Sequence, residues 1–239
     1  MGAGSGTRMF PLTHFINKHL LHLGGKPVIR IIAEKIATVL EQQDITIVCN
    51  QKDLQDYQWE FRDMPLLHFC PFEGKLEGIG TARQFSIAIL QQRMQDDTVL
   101  LHYGDTITDL DYGHFIDYYN NRDEMDAMIA ITQNIKHDYS QVLFDVSNNM
   151  ITNIEEKPNL AYPSWTGIGI FVADKIKNEV LAVTQTRNGE VDIAKHILPR
   201  LVKRHELHGY LYDGRWFDVG NLRSYKLLVQ EFQNKPLNL

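Results

Sequence analysis

The first residues of the chain, MGAGSGTR, have the composition of an anion-binding loop. Gly2, Gly4 and Gly6 allow positive φ angles and leave no Cβ in the way, so successive backbone N–H groups can close on a phosphate. Arg8 follows at once, and its planar guanidinium can hold two phosphate oxygens. These residue types favour binding of a phosphorylated small molecule.

Two better-known glycine loops fit this stretch poorly. A dinucleotide-binding fingerprint needs G-x-G-x-x-G, but the third glycine comes one residue early here, and no acidic residue ends a second strand at the right place. A P-loop continues as Gly-Lys-Ser/Thr, whereas this loop continues as Gly6-Thr7-Arg8. The remaining alternative is a flexible glycine-rich tail, which the composition of GAGSG by itself favours.

Helical and strand-like runs of apolar residues alternate behind this loop. The runs are a helix over Pro27 to Gln43, strands at Ile45 to Cys49 and LLHF, a helix over Thr81 to Met94, and the buried strand TVLLHYGD that ends in Asp105. Alternation of this kind predicts an α/β fold with a Rossmann-like, doubly wound and mainly parallel sheet.

The pattern changes near Gln141. The segment QVLFDVSNNMITNIEEK predicts an antiparallel hairpin, WTGIGIFVAD a strand, and GYLYDGRWFDVG a strand pair that leads to a final helix from Asn221. Two helices are expected between them, over about 175–183 and 192–204. We therefore predict one domain over 1–239, with a nucleotide-binding half over about 1–110 and a more antiparallel, sugar-phosphate half over about 111–239.

Composition excludes several classes of protein. The net charge of −6 leaves no basic stripe for nucleic acid. The sequence has no apolar run of the roughly 18 residues that a membrane span needs, and no secretory leader pattern, so a cytoplasmic protein is expected. Cys49 and Cys70 each end an apolar run outside any CxxC spacing, which predicts reduced, buried thiols.

The glycine loop is the first block of a longer pattern. It continues with Thr7-Arg8, Pro11-Leu12-Thr13, Lys18, Leu20-Leu21 and Gly25-Lys26-Pro27. Further blocks follow in order: Gly80-Thr81-Ala82, Gly104-Asp105, Glu155-Glu156-Lys157-Pro158, Thr166-Gly167, Gly189-Glu190 and Trp216-Phe217-Asp218-Val219-Gly220. Together these blocks resemble the sugar-1-phosphate nucleotidyltransferases, such as glucose-1-phosphate thymidylyltransferases and mannose-1-phosphate guanylyltransferases.

The sequence departs from the pattern of this family at a few places. Asn17 and His22 stand where the family usually has proline, and Ala3 replaces a glycine that is often present. The family also has a central strand of apolar residues before the loop, where this sequence has only Met1. We therefore expect that the natural product begins further upstream and that its N-terminal strand is missing here.

The resemblance implies attack by a sugar-phosphate oxygen on the α-phosphorus of a nucleoside triphosphate, with release of pyrophosphate. Both reactants are anions, so catalysis needs positive charge and positioning more than covalent chemistry. Arg8 is expected at the departing pyrophosphate and Lys18 at the α-phosphate and the incoming phosphate. The nucleotide-binding residues implied by the resemblance are Gly2, Ala3, Gly4, Gly6, Thr7, Gly80 and Thr81.

The other site residues implied are acids and a second lysine. Asp105 and Asp218 would hold Mg²⁺ through a few oxygens and leave the remaining positions to phosphates and water. Lys157 would take the phosphate of the sugar substrate, Glu156 and Glu190 its hydroxyls, and Gly167 would let the sugar ring approach the backbone.

Two other functions are compatible with these residues. One is a cytidylyltransferase for a different phosphorylated alcohol such as phosphocholine, and the other is a regulatory subunit that binds a nucleotide sugar without turnover. The expected ligands are a nucleoside triphosphate and a sugar 1-phosphate, with no nucleic acid or membrane partner. The base, the sugar and homo-oligomer formation stay open.

Overall fold

The computed structural model describes residues 7–73, 79–94, 98–122, 125–133, 141–155, 165–172 and 174–234. The chain divides into two compact units, each assembled from separate stretches of sequence. Unit 1 consists of Met1–Glu77, Tyr103–Tyr112 and Gly214–Leu239, and unit 2 of Gly78–His102 and Gly113–Asp213.

Helices and strands alternate along much of the chain. The helices are α1 (Val28–Ile36), α2 (Leu54–Glu60), α3 (Thr81–Gln91), α4 (Tyr112–Asn120), α5 (Asp174–Thr186), α6 (Leu198–Lys203) and α7 (Leu222–Asn234). The strands are β1 (His22–Leu23), β2 (Lys26–Pro27), β3 (Thr46–Asn50), β4 (His68–Phe72), β5 (Leu100–His102), β6 (Thr106–Thr108), β7 (Met128–Thr132), β8 (Gln141–Asp145), β9 (Met150–Glu155), β10 (Thr166–Val172), β11 (His208–Leu211) and β12 (Trp216–Asp218). A single turn of 3₁₀ helix covers Lys18–Leu20, and a π-helical turn covers Ile193–Ile197.

Unit 1 holds three two-stranded sheets among its described residues: β1 with β2, β3 with β4, and β6 with β12. The β1–β2 turn is Gly24-Gly25, and both residues have positive φ, as a tight two-residue hairpin requires. Strands β3 and β4 are parallel. Cys49 and Cys70 lie on these two strands as fully buried, free thiols, which confirms the prediction for both cysteines.

Helix α1 buries one apolar face in unit 1. Pro27 stands at its N-cap, where the missing N–H of proline costs no hydrogen bond. The buried residues recur at helical spacing: Val28, Ile29, Ile31, Ile32, Ala33 and Ile36. The helix ends at Ile36, earlier than the predicted Gln43, because the chain continues in tighter turns and a 3₁₀ turn at Gln42–Asp44.

Unit 2 is organised around a six-stranded sheet in the order β5-β10-β7-β11-β9-β8. All five residues of β7 are buried, which explains its uninterrupted apolar sequence MIAIT. The β7–β11 pair is parallel, and the other pairs in this sheet are antiparallel. The β8–β9 hairpin was predicted, and a four-residue turn at 146–149 makes its strands antiparallel.

The mixed α/β fold is confirmed, but other parts of the prediction need correction. A doubly wound, mainly parallel sheet is not confirmed, since only β3–β4 and β7–β11 are parallel among the described pairs. The predicted strand pair in GYLYDGRWFDVG is wrong, because β11 pairs with β7 and β12 pairs with β6. Asp105 does not end a long strand either; β5 stops at His102, and Asp105 lies in the turn before β6.

Candidate active site

Lys18 lies in a short 3₁₀ turn whose start is fixed by Asn17. The Asn17 side chain accepts a hydrogen bond from the His19 N–H at 3.0 Å and donates one to Asp53 at 2.8 Å. This arrangement explains why asparagine can replace the usual proline, since side-chain hydrogen bonds cap the turn. Lys18 itself is only 8% exposed, so its side chain has little contact with solvent.

The Lys18 ammonium forms an ion pair with the carboxylate of Asp105, which lies far away in sequence. Burial raises the pKa of the Asp105 carboxyl, but the positive charges of Lys18 and nearby His19 outweigh that effect and hold its pKa well below the ordinary value. Asp105 is therefore an anion over the whole physiological pH range. A buried lysine and an ionised aspartate therefore form an ion pair in unit 1.

The two-stranded ribbon of β6 and β12 brings Asp218 next to Asp105. Asp218 is paired with Thr106, and the N–H of Val219 donates to the carbonyl of Asp105 at 2.7 Å. The backbones of Asp105, in the turn before β6, and Asp218, at the end of β12, are therefore adjacent. Gly220 follows closely, and a Cβ there would lie 2.5 Å from the Asp218 carboxylate, so glycine leaves room for this carboxylate beside the backbone.

The pair of carboxylates has the right chemistry for Mg²⁺. This ion prefers oxygen ligands, and proteins usually hold it with one or two carboxylates together with substrate phosphates and water. No group of three or more metal-binding His, Cys, Asp or Glu side chains is found among the described residues. Asp105 and Asp218 therefore fit a site that substrate completes, and their role as metal ligands stays a prediction.

Arg8 lies in unit 1 as well, in the short turn Thr7–Met9. Its side chain is exposed, while the next residue, Met9, is fully buried and anchors the turn. The loop residues Gly2, Ala3, Gly4 and Gly6 lie outside the described residues, as do Glu156 and Lys157.

The second group of predicted residues meets in unit 2. Gly80 has φ +79°, and a Cβ on it would lie 2.3 Å from the carbonyl oxygen of Val191. The N–H of Val191 donates to the Ile79 carbonyl at 2.9 Å, and the N–H of Ala82 donates to the Val191 carbonyl at 2.9 Å. Glycine is required here because the two backbones touch. The contact brings Gly80 close to Glu190, which precedes Val191.

Thr81 is part of the same contact. Its hydroxyl donates to Asp192 at 2.8 Å and accepts from the N–H of Ile193 at 2.9 Å. A hydroxyl has one proton, so Thr81 has none left to donate to a nucleotide while this bond persists. The structure gives Thr81 a role in holding two loops together, and its predicted contact with nucleotide stays a prediction.

Glu190 and Gly167 complete the predicted residues that can be located. Glu190 is exposed, and its carboxylate has no hydrogen bond or ion pair with any described residue. Gly167 lies on β10, where a Cβ would come within 2.5 Å of the Ile129 side chain. Packing against Ile129 is therefore one reason for glycine at 167, and approach by a sugar remains untested.

Sequence reasoning missed several residues that shape these two groups. Asp192 caps the π-helical turn by accepting from the Lys195 N–H and also binds Thr81. An aspartate before a helix is a typical N-cap, so this signal was available in the sequence. Asp109 and Arg215, which join β6 to β12, and Arg83 in α3 carried no local signal because their partners are distant in sequence.

The chain belongs to the nucleotidyl transferase family, whose model matches residues 1–235. It is 26% identical over 221 residues to the bifunctional protein GlmU of Methanocaldococcus jannaschii, covering 91% of this chain and 50% of that protein. It is 22% identical to the catalytic subunit beta of mannose-1-phosphate guanylyltransferase from Drosophila melanogaster, covering 93% of this chain and 58% of that protein. The chain thus spans about half the length of these relatives.

Solved structures share the fold. A Bacillus anthracis protein described as a glucose-1-phosphate thymidylyltransferase, solved with sucrose, superposes with a TM-score of 0.79 at 20% identity, covering 100% of this chain and 94% of that one. A UDP-glucose pyrophosphorylase with bound UDP-glucose gives a TM-score of 0.76 at 18% identity, covering 98% and 97% of the two chains. None of the helices in the described part of the chain is long and apolar enough to cross a membrane.

Proposed function

We propose that the protein transfers a nucleoside monophosphate from a nucleoside triphosphate to a sugar 1-phosphate and releases pyrophosphate. Membership of the nucleotidyl transferase family restricts the reaction class. The observation that carries the proposal lies in unit 1, where the buried Lys18 ammonium pairs with the Asp105 carboxylate and the backbone of Asp218 lies beside that of Asp105.

In this reaction an oxygen of the sugar phosphate forms a new bond to the α-phosphorus. The bond from the α-phosphorus to the bridging oxygen of the β-phosphate breaks, and pyrophosphate leaves with that electron pair. Lys18 would hold the α-phosphate and the incoming phosphate, and Arg8 would bind the leaving pyrophosphate with its planar guanidinium. Since both reactants are anions, these two cations reduce the repulsion between them.

Asp105 and Asp218 would hold Mg²⁺, which supplies positive charge to neutralise the phosphates when it is bound. The pairing of β6 with β12 and the hydrogen bond from the Val219 N–H to the Asp105 carbonyl fix the backbones of both residues. The Asp105 carboxylate is kept ionised by Lys18, and a metal ligand must be ionised.

Finer assignments extend this proposal. The Gly2 to Thr7 loop with Gly80 and Thr81 would bind the nucleotide, while Glu156, Lys157, Gly167 and Glu190 would bind the sugar phosphate. Residues of about 1–110 would then form a Rossmann-like nucleotide half, and about 111–239 a sugar-phosphate half. We also propose that the protein works in the cytoplasm.

A panel of nucleoside triphosphates against sugar 1-phosphates, scored by pyrophosphate release with Mg²⁺, tests the function. We expect turnover with at least one pair, and phosphocholine with CTP serves as the competing substrate pair. Turnover only with CTP and phosphocholine would identify the different cytidylyltransferase. Tight binding of a nucleotide sugar without turnover by any pair would identify a regulatory subunit and contradict the proposal.

A further inference from the structure

The guanidinium of Arg83, in the first turn of α3, donates three hydrogen bonds to one loop of unit 2. Its Nε donates to the carbonyl of Gly189 at 3.1 Å, its Nη1 to that of Thr184 at 3.3 Å, and its Nη2 to that of Arg187 at 2.5 Å. The three acceptors lie within six residues of one another: Thr184 is in the last turn of α5, and Arg187 and Gly189 follow the helix.

The Thr184 carbonyl, in the last turn of α5, is suited to a cation. The last carbonyls of a helix have no partner within the helix, and they form the negative end of the helix dipole. Hydrogen bonds from a charged donor to such groups are stronger than neutral ones. Arg83 therefore donates to a free carbonyl at the end of α5 and also holds the residues that follow this helix.

Glu190 follows Gly189 directly in the sequence. The Gly189 carbonyl on one side of Glu190 is bound by Arg83, and the Val191 N–H on the other side is bound by the Ile79 carbonyl. Glu190 is thus held between two fixed backbone positions, while its carboxylate is exposed and has no partner among the described residues. The direction of this carboxylate depends on both anchors.

We propose that Arg83 is a positioning residue that holds Glu190 for recognition of the sugar 1-phosphate. The inference rests on the proposed function, in which Glu190 binds sugar hydroxyls. Among the described residues, the hydrogen bonds of the Arg83 guanidinium all go to backbone carbonyls, so we propose that it acts through Glu190. A lysine cannot replace it fully, because one ammonium group does not reproduce a planar fork with several N–H donors.

The first test compares the kinetics of Arg83→Met and Arg83→Lys with those of the wild type. We expect Arg83→Met to raise KM for the sugar 1-phosphate about tenfold while KM for the triphosphate changes by less than about twofold. The KM of Arg83→Lys for the sugar 1-phosphate should lie between those of the wild type and Arg83→Met. Arg93→Met is the control, since Arg93 follows the same helix, is exposed and has no partner among the described residues.

A double-mutant cycle with Glu190→Gln decides whether Arg83 acts through Glu190. If it does, adding Arg83→Met to Glu190→Gln should cause little further rise in KM for the sugar 1-phosphate, because the positioned group is already lost. Independent, multiplying effects of the two substitutions in an active enzyme would overturn the inference. So would an equal rise in KM for both substrates.

Hydrogen exchange measures the anchoring without substrate. Arg83→Met should speed exchange in the peptide that spans Gly189 to Ile193, while exchange in α6 stays at the wild-type level. Unchanged exchange in this peptide would overturn the inference even in an active enzyme. A wild-type protein that releases no pyrophosphate from any substrate pair would instead overturn the proposed function, and the role of Glu190 with it.

Discussion

At the scale of single residues, the feature that needs explanation is a lysine kept almost out of water. Burying a cation is costly unless an anion accompanies it, and Asp105 supplies that anion. Such a pair contributes little to stability compared with well-packed apolar residues, but losing one partner leaves an uncompensated charge. An arrangement of this kind is typical of sites where charge is needed for chemistry.

Replacing Lys18 tests that interpretation. Lys18→Gln removes the cation that the proposed mechanism places at the α-phosphate, so we expect pyrophosphate release to fall by about a hundredfold or more. Lys52→Gln, at an exposed lysine without a partner among the described residues, is the matched control and should stay near the wild-type rate. Near-normal turnover by Lys18→Gln, with a normal thermal midpoint, would contradict a catalytic role.

The carboxylates can be tested separately from the lysine. Asp105→Asn or Asp218→Asn should lower turnover by about a hundredfold or more, because each removes a charged Mg²⁺ ligand. A titration of rate against Mg²⁺ concentration should also shift to higher Mg²⁺ for the residual activity. Asp213→Asn, at an exposed aspartate, is the control. Full rates for both site variants in saturating Mg²⁺ would mean that these carboxylates do not hold the metal.

At the scale of elements, the β6–β12 ribbon places the backbone of Asp218 beside that of Asp105. Each strand has three residues, so few ladder bonds define the register, and a slip of one position would turn every side chain to the other face. Asp109 holds one end of the ribbon: its carboxylate accepts from the Arg215 N–H at 2.8 Å and from Arg215 Nε at 3.3 Å. At the other end Val219 donates to Asp105.

Removing the Asp109 carboxylate should therefore weaken both the ribbon and the metal site. Asp109→Ala loses these two side-chain bonds, and we expect the free energy of unfolding to fall by about 1–2 kcal/mol. The Mg²⁺ concentration for half-maximal activity should rise as Asp105 and Asp218 lose their register. Urea unfolding and a Mg²⁺ titration measure the two effects, with Asp213→Ala as control. A stability loss without any change in the Mg²⁺ requirement would confine Asp109 to a structural role.

At the scale of the whole molecule, the two buried thiols report on unfolding. Burial raises the pKa of Cys49 to about 12 and that of Cys70 to about 11. An exposed thiol titrates near pH ~8.5, so the unfolded chain releases protons that the folded protein keeps. Stability from these groups is therefore complete below pH ~8.5 and is lost as the pH rises toward the folded values.

The free energy of unfolding should consequently fall between about pH 8 and about pH 10. Cys70→Ala removes one of the two thiols, so the fall between these pH values should be smaller in this variant than in the wild type. Urea unfolding at both pH values measures the difference. The same thiols should resist a thiol-labelling reagent in the folded protein and react once urea unfolds it; fast labelling without urea would contradict their burial.

Much of the local structure follows from residue order alone. The apolar spacing predicted α1 and its buried face, the start of α3 at Thr81, the β8–β9 hairpin and the buried thiols. These features depend on neighbours within a few turns or one hairpin, and the period of the apolar residues records which face is buried. The family resemblance also came from residue order, because its blocks are short motifs in a fixed sequence.

Only the tertiary structure decided which distant residues meet. Nothing near Asp105 shows that Lys18 will pair with it, and GYLYDGRWFDVG looked like a strand pair although β12 joins β6. The family resemblance predicts that Gly80 binds nucleotide, whereas its backbone contact with Val191 explains the need for glycine at this position. The physical reason is that ion pairs, strand partners and close backbone contacts depend on how separate elements pack, whereas a sequence pattern records only the environment of one element at a time.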